Sequence, residues 1–280
     1  MIVKTISYLD DNAPKKLTKS LVETGFSVLR DHPIPLPLIE DVYKQWKKFF
    51  NSKKKNNYLY DPEKQDGFFP FETENAKGYT AKDLKEFYHI YTWGKYPSEI
   101  NDSTHLLYKN IVELTSIILE WIQEETPINV KSSFSMPLPE MIKNSKNHLL
   151  RILHYPPLKG NEPIDAIRGA PHEDINLITL LVAGTEPGLQ VKDTLGNWHN
   201  ITCDVGSIAI NTGDMLSEVS SGYFPSTTHQ VINPNNKIKN QSRYSMPLFL
   251  HPRDDVQLST RYTAREYLQN RIKEIGLKKI

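Results

Sequence analysis

Two residue pairs and one separate histidine in the second half of the chain have types and spacing that suit chemistry at a metal. His172 and Asp174 stand two residues apart in a run that reads as β-strand, where alternate side chains share a face. The imidazole and the carboxylate would then point the same way, with Glu173 turned to the opposite side. If a strand carrying His229 lies nearby, two histidines and one carboxylate form a face with open coordination positions. Such a face suits a non-haem Fe(II) centre that activates O₂.

The second pair, Arg243 and Ser245, has the same two-residue spacing in a later predicted strand. A guanidinium is a planar fork of donors and a hydroxyl adds another donor, so together they can clamp a carboxylate. Neutral imidazole and carboxylate suit ferrous iron, and the absence of thiolate ligands disfavours a structural zinc site.

The sequence around these residues resembles the catalytic core of the 2-oxoglutarate- and Fe(II)-dependent dioxygenases, in the branch of isopenicillin N synthase and the plant flavonoid and gibberellin oxygenases. The likeness is strongest over residues 149–252, and residues 25–34 are similar to an N-terminal stretch of the family. The ordered set is specific, whereas a His-x-Asp triplet alone arises by chance. The matching segments are Arg151-Ile-Leu-His-Tyr-Pro156, Pro171-His-Glu-Asp174, Ile178-Thr-Leu-Leu181, Pro187-Gly-Leu-Gln-Val191, Asn211-Thr-Gly-Asp214, Thr228-His-Gln-Val231, Asn233-Pro234 and Arg243-Tyr-Ser245.

The resemblance implies a cofactor set and a reaction. His172, Asp174 and His229 would bind Fe(II), and Arg243 with Ser245 would hold the distal carboxylate of 2-oxoglutarate, whose other end chelates the iron. The enzyme would use O₂ to oxidise a small molecule and release succinate and CO₂, with ascorbate as a candidate reductant. Hydroxylation is the default outcome, and desaturation or ring closure stays open.

Five further residues are candidates for contacts to co-substrate or substrate. Tyr155 matches a family tyrosine that adds a hydroxyl to the distal carboxylate, although a core tyrosine is nearly as good an interpretation. Arg168 is expected at the mouth of the site, to meet an acidic substrate group or to remain a solvated loop residue. Arg151 matches a basic family position that faces the barrel interior, with a substrate or a structural role equally open. Phe69 and Tyr79 lie where the family's N-terminal part covers the metal and are candidate aromatic walls, although a packing role alone also accounts for them.

Two other functions stay open at this point. Isopenicillin N synthase keeps the Arg-x-Ser pair without using 2-oxoglutarate, so an iron oxidase that draws all electrons from its substrate is one alternative. A metal-containing module that binds a ligand without turnover is the other. The family often has Asn where this chain has Leu153, so no Asn contact is carried over.

The composition argues against several kinds of partner. Among 280 residues, Lys+Arg 34 against Asp+Glu 33 gives a net charge of +1, which disfavours an extended nucleic-acid surface. No apolar stretch reaches the ~18 residues of a membrane span, and the N-terminus lacks the apolar run of a secretion signal. Cys203 is the only cysteine, so a reducing cytosol is the expected compartment. The expected partner is a small-molecule substrate, with no nucleic acid and no membrane.

The pattern of elements predicts an α+β protein with a mainly β core. Residues 149–252 read as short strands between Gly, Pro and Asn turns, which predict a sandwich or barrel. With the resemblance, this becomes a double-stranded β-helix, or jelly roll, flanked by N-terminal helices and a C-terminal helix.

A single oxygenase domain is expected over residues 1–280. Residues 1–148 should be a mostly helical part that packs on the core, with helices over 14–24, from Pro37 and over about 103–125, and with a strand-like apolar run over 25–30. Residues 51–74 are expected to form a long loop. Residues 253–280 should hold the last helix, which the capping box Thr263-Ala-Arg-Glu266 opens and which should stop near Gly276.

Overall fold

The computed structural model describes residues 2–74, 81–235 and 238–274. The described residues form a 3₁₀ helix (Lys53–Tyr58) and the α-helices α1 (Ala13–Thr24), α2 (Leu36–Phe50), α3 (Ser103–Glu125), α4 (Ile128–Lys131), α5 (Leu138–Ile142), α6 (Asp214–Val219) and α7 (Ala264–Glu274). Their strands are β1 (Thr5–Ser7), β2 (Phe26–Arg30), β3 (Gly67–Phe69), β4 (Glu86–Ile90), β5 (Leu149–Tyr155), β6 (Gly169–His172), β7 (Ile178–Val182), β8 (Leu189–Lys192), β9 (Trp198–Asn200), β10 (Ile208–Thr212), β11 (His229–Val231) and β12 (Arg243–Leu250).

The strands make two sheets of unequal size. The larger sheet has the order β1-β2-β10-β7-β12-β5-β4-β3 and the smaller the order β6-β11-β8-β9. Pairing is antiparallel except between β1 and β2. Phe26 and Leu153 of the larger sheet pack in one buried cluster with Leu189 and Val231 of the smaller sheet. The inner faces of the two sheets therefore enclose a common interior.

Helices α1, α2 and α3 pack against the larger sheet. In α3, the buried residues Leu107, Ile111, Leu114, Ile118 and Ile122 recur every three or four positions, as an amphipathic helix requires. They share a second core cluster with residues of α1, α2 and the larger sheet. The predicted bounds of this helix, 103–125, are confirmed.

The first 148 residues contain more β structure than the sequence analysis predicts. The strand-like run predicted over residues 25–30 is confirmed as β2. The strands beyond the prediction are β1, which pairs with β2 at one end of the larger sheet, and β3 and β4, which form the other end. The prediction of a loop over residues 51–74 is wrong in part, because this segment contains the 3₁₀ helix and β3. All five residues of β4 are buried, so the strand lacks the apolar–polar alternation that marks a half-exposed strand.

The capping box at the start of α7 is confirmed. The Thr263 backbone N–H donates to Glu266 Oε2 (2.8 Å), and the Glu266 N–H donates to Thr263 Oγ1 (3.3 Å). The predicted end of this helix near Gly276 lies outside the described residues. Among the helices of the described ranges, none combines the length and apolar character needed to cross a bilayer.

Candidate metal centre

The side chains of His172 and Asp174 converge with that of His229, which is distant in the sequence, on the inner side of the smaller sheet. β6 and β11 are antiparallel neighbours, and His229 lies directly opposite His172. Asp174 Oδ1 lies 3.9 Å from His172 Nε2 and 3.7 Å from His229 Nε2. One ligand atom from each residue falls within 4.8 Å of the other two. This spacing allows a single ion to bind all three.

Backbone carbonyls orient both imidazoles. His172 Nδ1 lies 2.8 Å from the Ala170 carbonyl and His229 Nδ1 lies 3.2 Å from the Thr227 carbonyl. A neutral ring that donates from Nδ1 presents the Nε2 lone pair, the usual arrangement of a metal-binding histidine. Burial, and then the neighbouring His229, lower the pKa of His172 to about 4. The ring is therefore neutral and available as a ligand near neutral pH.

Asp174 is positioned beside the two imidazoles, but not by strand alternation as predicted. β6 ends at His172, so Asp174 lies in the following loop and strand alternation does not set its direction. Thr179 Oγ1 donates to Asp174 Oδ2 (2.6 Å), and Asn211 Nδ2 donates to the same oxygen (2.8 Å). These two bonds leave Oδ1 directed towards the imidazoles.

The carboxylate is held in its charged form. Burial raises the pKa of Asp174, but the two imidazoles and the hydrogen bonds from Thr179 and Asn211 outweigh burial, so the pKa lies below its ordinary value. An ionised carboxylate beside two imidazoles is the donor set expected for a ferrous ion. Asp174, His172 and His229 therefore fit Fe(II), which would supply the redox chemistry with O₂.

Sequence reasoning missed the residues that hold Asp174. Thr179 lies on β7 and Asn211 on β10, both within the larger sheet, and Asn176 Nδ2 donates to Thr179 Oγ1 (2.8 Å). Each is a polar residue beside or within a strongly apolar run. That pattern is a usable signal, because buried polar groups need hydrogen-bond partners.

The predicted anion clamp is assembled in the interior. Arg243 Nη1 donates to Ser245 Oγ (3.1 Å), and Arg243 Nε donates to the Glu186 carbonyl (3.0 Å). Tyr155 lies opposite Arg243 on the neighbouring strand, with the guanidinium carbon 5.2 Å from the centre of its ring. All three predicted residues, Arg243, Ser245 and Tyr155, are almost completely buried. A buried guanidinium with an adjacent hydroxyl fits the carboxylate of a keto acid.

A cavity of about 940 Å³ opens beside the candidate metal ligands. His172 and Asp174 line it, α7 contributes Leu268 and Ile272, and Phe249 provides an apolar surface. The cavity is large enough for a small organic molecule. Arg243, Ser245 and Tyr155 are not part of its lining.

One wall of this cavity carries a network of paired charges. Lys85 Nζ lies 2.8 Å from Glu74 Oε2 and 2.7 Å from Asp83 Oδ2. Arg151 donates from Nη1 to Glu74 Oε2 (3.1 Å) and from Nε to His89 Nε2 (2.8 Å). Burial raises the pKa of Glu74, but Arg151 and Lys85 outweigh it and hold the pKa well below its usual range. The wall therefore presents two cations and two carboxylates that neutralise one another.

His89 is neutral within this network. Its Nδ1 lies 2.7 Å from the Gln65 carbonyl and its Nε2 accepts the Arg151 hydrogen bond. Burial, and then the charge of Arg151, hold the pKa of His89 well below its ordinary value. Arg151 thus reaches the cavity as predicted from the family position, and it does so as one member of a fixed network.

Two other candidate substrate residues, Arg168 and Phe69, do not lie where the sequence predicts them. Arg168 is completely buried (0% exposed), so both its expected position at the mouth and the solvated interpretation are wrong. Phe69 is stacked between the rings of Tyr60 and Phe87, with centroid distances of 4.2 and 4.5 Å, and it is not part of the cavity lining. Tyr79 lies outside the described residues.

Comparison with known proteins identifies two matching family models. The model of the 2OG-Fe(II) oxygenase superfamily matches residues 146–252. A model described as the N-terminal region of non-haem dioxygenases in morphine synthesis matches residues 7–112. Together the two matches include every candidate metal and co-substrate residue.

Solved structures and a curated relative agree with these models. A putative oxygenase from Shewanella oneidensis is 50% identical, with a TM-score of 0.90 over 99% of this chain and 100% of that chain. A putative 2OG-Fe(II) oxygenase family protein from Caulobacter crescentus is 29% identical, with a TM-score of 0.82 over 98% and 99%. Clavatol oxidase of Penicillium crustosum is 26% identical over 266 residues, which span 81% of this chain and 75% of that protein. The predicted α+β jelly roll is confirmed.

The bonds to Asp174 generate the first testable prediction. Thr179→Val keeps the side-chain volume but removes the hydroxyl that fixes Asp174 Oδ2. We expect metal affinity to fall about 10- to 100-fold, the range observed when such supporting hydrogen bonds are removed. Titration of the purified protein with Co(II), followed by its visible absorption, measures the change.

Thr115→Val is the matched control. Its hydroxyl is also buried but donates only to the Ile111 carbonyl within α3 (2.7 Å), so this variant should bind Co(II) as the unmodified chain does. Equal Co(II) affinity of the two variants would show that Thr179 does not support the site.

Proposed function

This chain belongs to the 2OG-Fe(II) oxygenase superfamily, and we propose that His172, Asp174 and His229 bind its Fe(II). The protein is a non-haem iron dioxygenase that uses 2-oxoglutarate and O₂. We further propose that Arg243 and Ser245 bind the distal carboxylate of 2-oxoglutarate. The observation that carries the assignment is the convergence of the three ligand atoms within 4.8 Å.

Tyr155 is proposed as the third residue at the distal carboxylate. Its place opposite Arg243 on the neighbouring strand supports this role. The three residues would fix the orientation of the keto acid, because a fork and a hydroxyl define the plane of the bound carboxylate. Their burial keeps water from competing for the same hydrogen bonds.

The proposed reaction is hydroxylation of a C–H bond in a small molecule. The substrate, O₂ and 2-oxoglutarate would give the alcohol, succinate and CO₂, with one oxygen atom in the alcohol and the other in succinate. The protein's part is to position the substrate within the 940 Å³ cavity beside His172 and Asp174.

We propose that the substrate is polar and carries no net charge. Arg151 is bonded to Glu74 and His89, and Lys85 is paired with Glu74 and Asp83. Neither cation of this wall is therefore available for a substrate carboxylate without breaking a buried ion pair, which costs several kcal/mol. A neutral amide, a lactam or a zwitterionic amino-acid derivative would match the mixed donors and acceptors.

The remaining assignments concern the chain as a whole. We propose that residues 1–280 act as one oxygenase domain, with residues 1–148 packed on the core of residues 149–252 and residues 253–280 closing the chain. The strands β1 to β4, which complete the larger sheet, support this. We also propose a cytoplasmic location and no nucleic-acid or membrane partner, supported by the single Cys203 and the net charge of +1.

Replacement of a metal ligand tests the function. His229→Ala should abolish iron-dependent formation of succinate from 2-oxoglutarate, because the remaining His172 and Asp174 hold the metal too weakly. Circular dichroism should show an intact fold. Succinate is measured with Fe(II) and ascorbate in the presence of candidate substrates. His199→Ala is the control, since this histidine is paired with Asp193 away from the site. Full activity of His229→Ala would contradict the assignment.

Arg243→Lys tests the anion clamp. Lysine keeps the charge but loses the fork that bonds Ser245 and the Glu186 carbonyl, so the KM for 2-oxoglutarate should rise at least about tenfold. This KM is measured from steady-state succinate formation at varied concentrations of 2-oxoglutarate. Arg261→Lys, at an exposed ion pair with Glu218, should leave the KM unchanged. A KM that also stays unchanged in Arg243→Lys would point to a different site for the co-substrate.

A substrate panel tests the charge of the substrate. Neutral amides, lactams and zwitterionic amino-acid derivatives should stimulate succinate formation more strongly than monocarboxylic acids of similar size. The assay compares succinate release with and without each compound. If simple monocarboxylates give the strongest stimulation, the paired-charge wall does not select the substrate.

A further inference from the structure

Arg168 lies in the interior close to the start of β12. Its side chain is 0% exposed, and its Nη2 donates to the Gln241 carbonyl (2.6 Å). Gln241 precedes Arg243 by two residues. The Arg168 backbone N–H is bound in turn by Asn233 Oδ1 (3.0 Å). Both ends of this arginine are therefore fixed beside the strand that carries the proposed anion clamp.

Most of the Arg168 guanidinium lacks a hydrogen-bond partner. Its Nε and Nη1 are buried and have none among the described residues. Burial, and then the neighbouring charge of Arg243, lower the pKa of Arg168 to about 10. A buried cation with unsatisfied donors beside a second cation is strongly unfavourable by itself. An anion between the two guanidinium groups would satisfy the donors and offset the repulsion.

We propose that Arg168 is a second binding residue for the distal carboxylate of 2-oxoglutarate and shares that anion with Arg243. The inference rests on the proposed function, which assigns the same carboxylate to Arg243 and Ser245. A carboxylate has about four acceptor sites, so it can take hydrogen bonds from both guanidinium groups and from a hydroxyl.

Two features of the protein itself could account for the burial of the Arg168 guanidinium, but each leaves part of it unexplained. The Glu186 carboxylate attracts Arg168, but no hydrogen bond joins the two side chains among the described residues. If Arg168 only stabilised the segment before β12, its Nη2 bond to the Gln241 carbonyl would be sufficient. The buried, unpaired Nε and Nη1 would then have no explanation.

The test compares two keto acids that differ only at the distal end. 2-Oxopentanoate has the five-carbon chain of 2-oxoglutarate with a methyl group in place of the distal carboxylate. Binding of each to the Zn(II)-loaded protein is measured by calorimetry, without O₂ or turnover. In Arg168→Met, 2-oxoglutarate should bind at least about tenfold more weakly, the size expected for a charged hydrogen bond. The Kd of 2-oxopentanoate should stay within about twofold.

Thermal unfolding of the ligand-free protein distinguishes a ligand-binding role of Arg168 from a structural role. Arg168→Met removes an unpaired buried charge, so the Tm of the ligand-free protein should be unchanged or raised. A lower Tm with equal weakening of both keto acids would assign Arg168 to a structural role and overturn the inference. Arg168→Gln, which keeps a donor for the Gln241 carbonyl, repeats the comparison if the Met variant does not fold. Failure of both variants to fold would also favour the structural role.

Two further variants distinguish a failure of the role proposed for Arg168 from a failure of the proposed anion clamp. Arg261→Met, at the exposed ion pair with Glu218, should match the unmodified chain with both keto acids. Arg243→Met should lose 2-oxoglutarate binding. If Arg243→Met weakens binding and Arg168→Met does not, only the role of Arg168 is wrong. If the unmodified chain shows no preference for 2-oxoglutarate over 2-oxopentanoate, the proposed anion clamp is wrong and the inference falls with it.

Discussion

The pairing of β6 with β11 is the contact on which the candidate site depends. It sets His229 directly opposite His172, although the two residues belong to strands far apart in the sequence. A slip of one residue in this register would turn the side chain of His229 to the other face of the sheet. The ladder is irregular just beyond this point, between His229 and Val231. The two imidazoles can therefore share one ion only in the register that the structure adopts.

The third candidate ligand, Asp174, connects the smaller sheet to the larger one. Asp174 follows β6, but the groups that hold its carboxylate, Thr179 and Asn211, come from the neighbouring strands β7 and β10 of the larger sheet. The metal face is thus completed across the interior rather than within one strand. Because Asn176 in turn donates to Thr179, the carboxylate cannot rotate without breaking a chain of buried hydrogen bonds. Such support fixes a ligand direction before metal arrives.

The confirmed predictions rest on residue spacings within single helices and strands. The bounds of α3 follow from apolar residues every three or four positions, and the capping box at Thr263 involves residues only three apart. The side chains of Arg243 and Ser245 meet because both lie on one regular strand. The failures concern contacts between distant segments. The strands β3 and β4 exist because they pair at the end of the larger sheet, and the burial of Arg168 depends on how the segment before β12 folds over it. No short-range spacing encodes either feature.

The buried charges of the interior are of two kinds: some are paired with other side chains of the protein, and others lie at the proposed metal and co-substrate sites. The cations Arg151 and Lys85 are neutralised by the protein's own carboxylates, so that wall needs no ligand to be stable. The other buried charges are the carboxylate of Asp174, beside the imidazoles of His172 and His229, and the guanidinium groups of Arg168 and Arg243 at the proposed anion clamp. A metal dication and a dicarboxylate carry the opposite charges. In the proposed assignment, the dication would bind at Asp174 and the distal carboxylate at the two guanidinium groups, which leaves the wall of paired charges to the substrate.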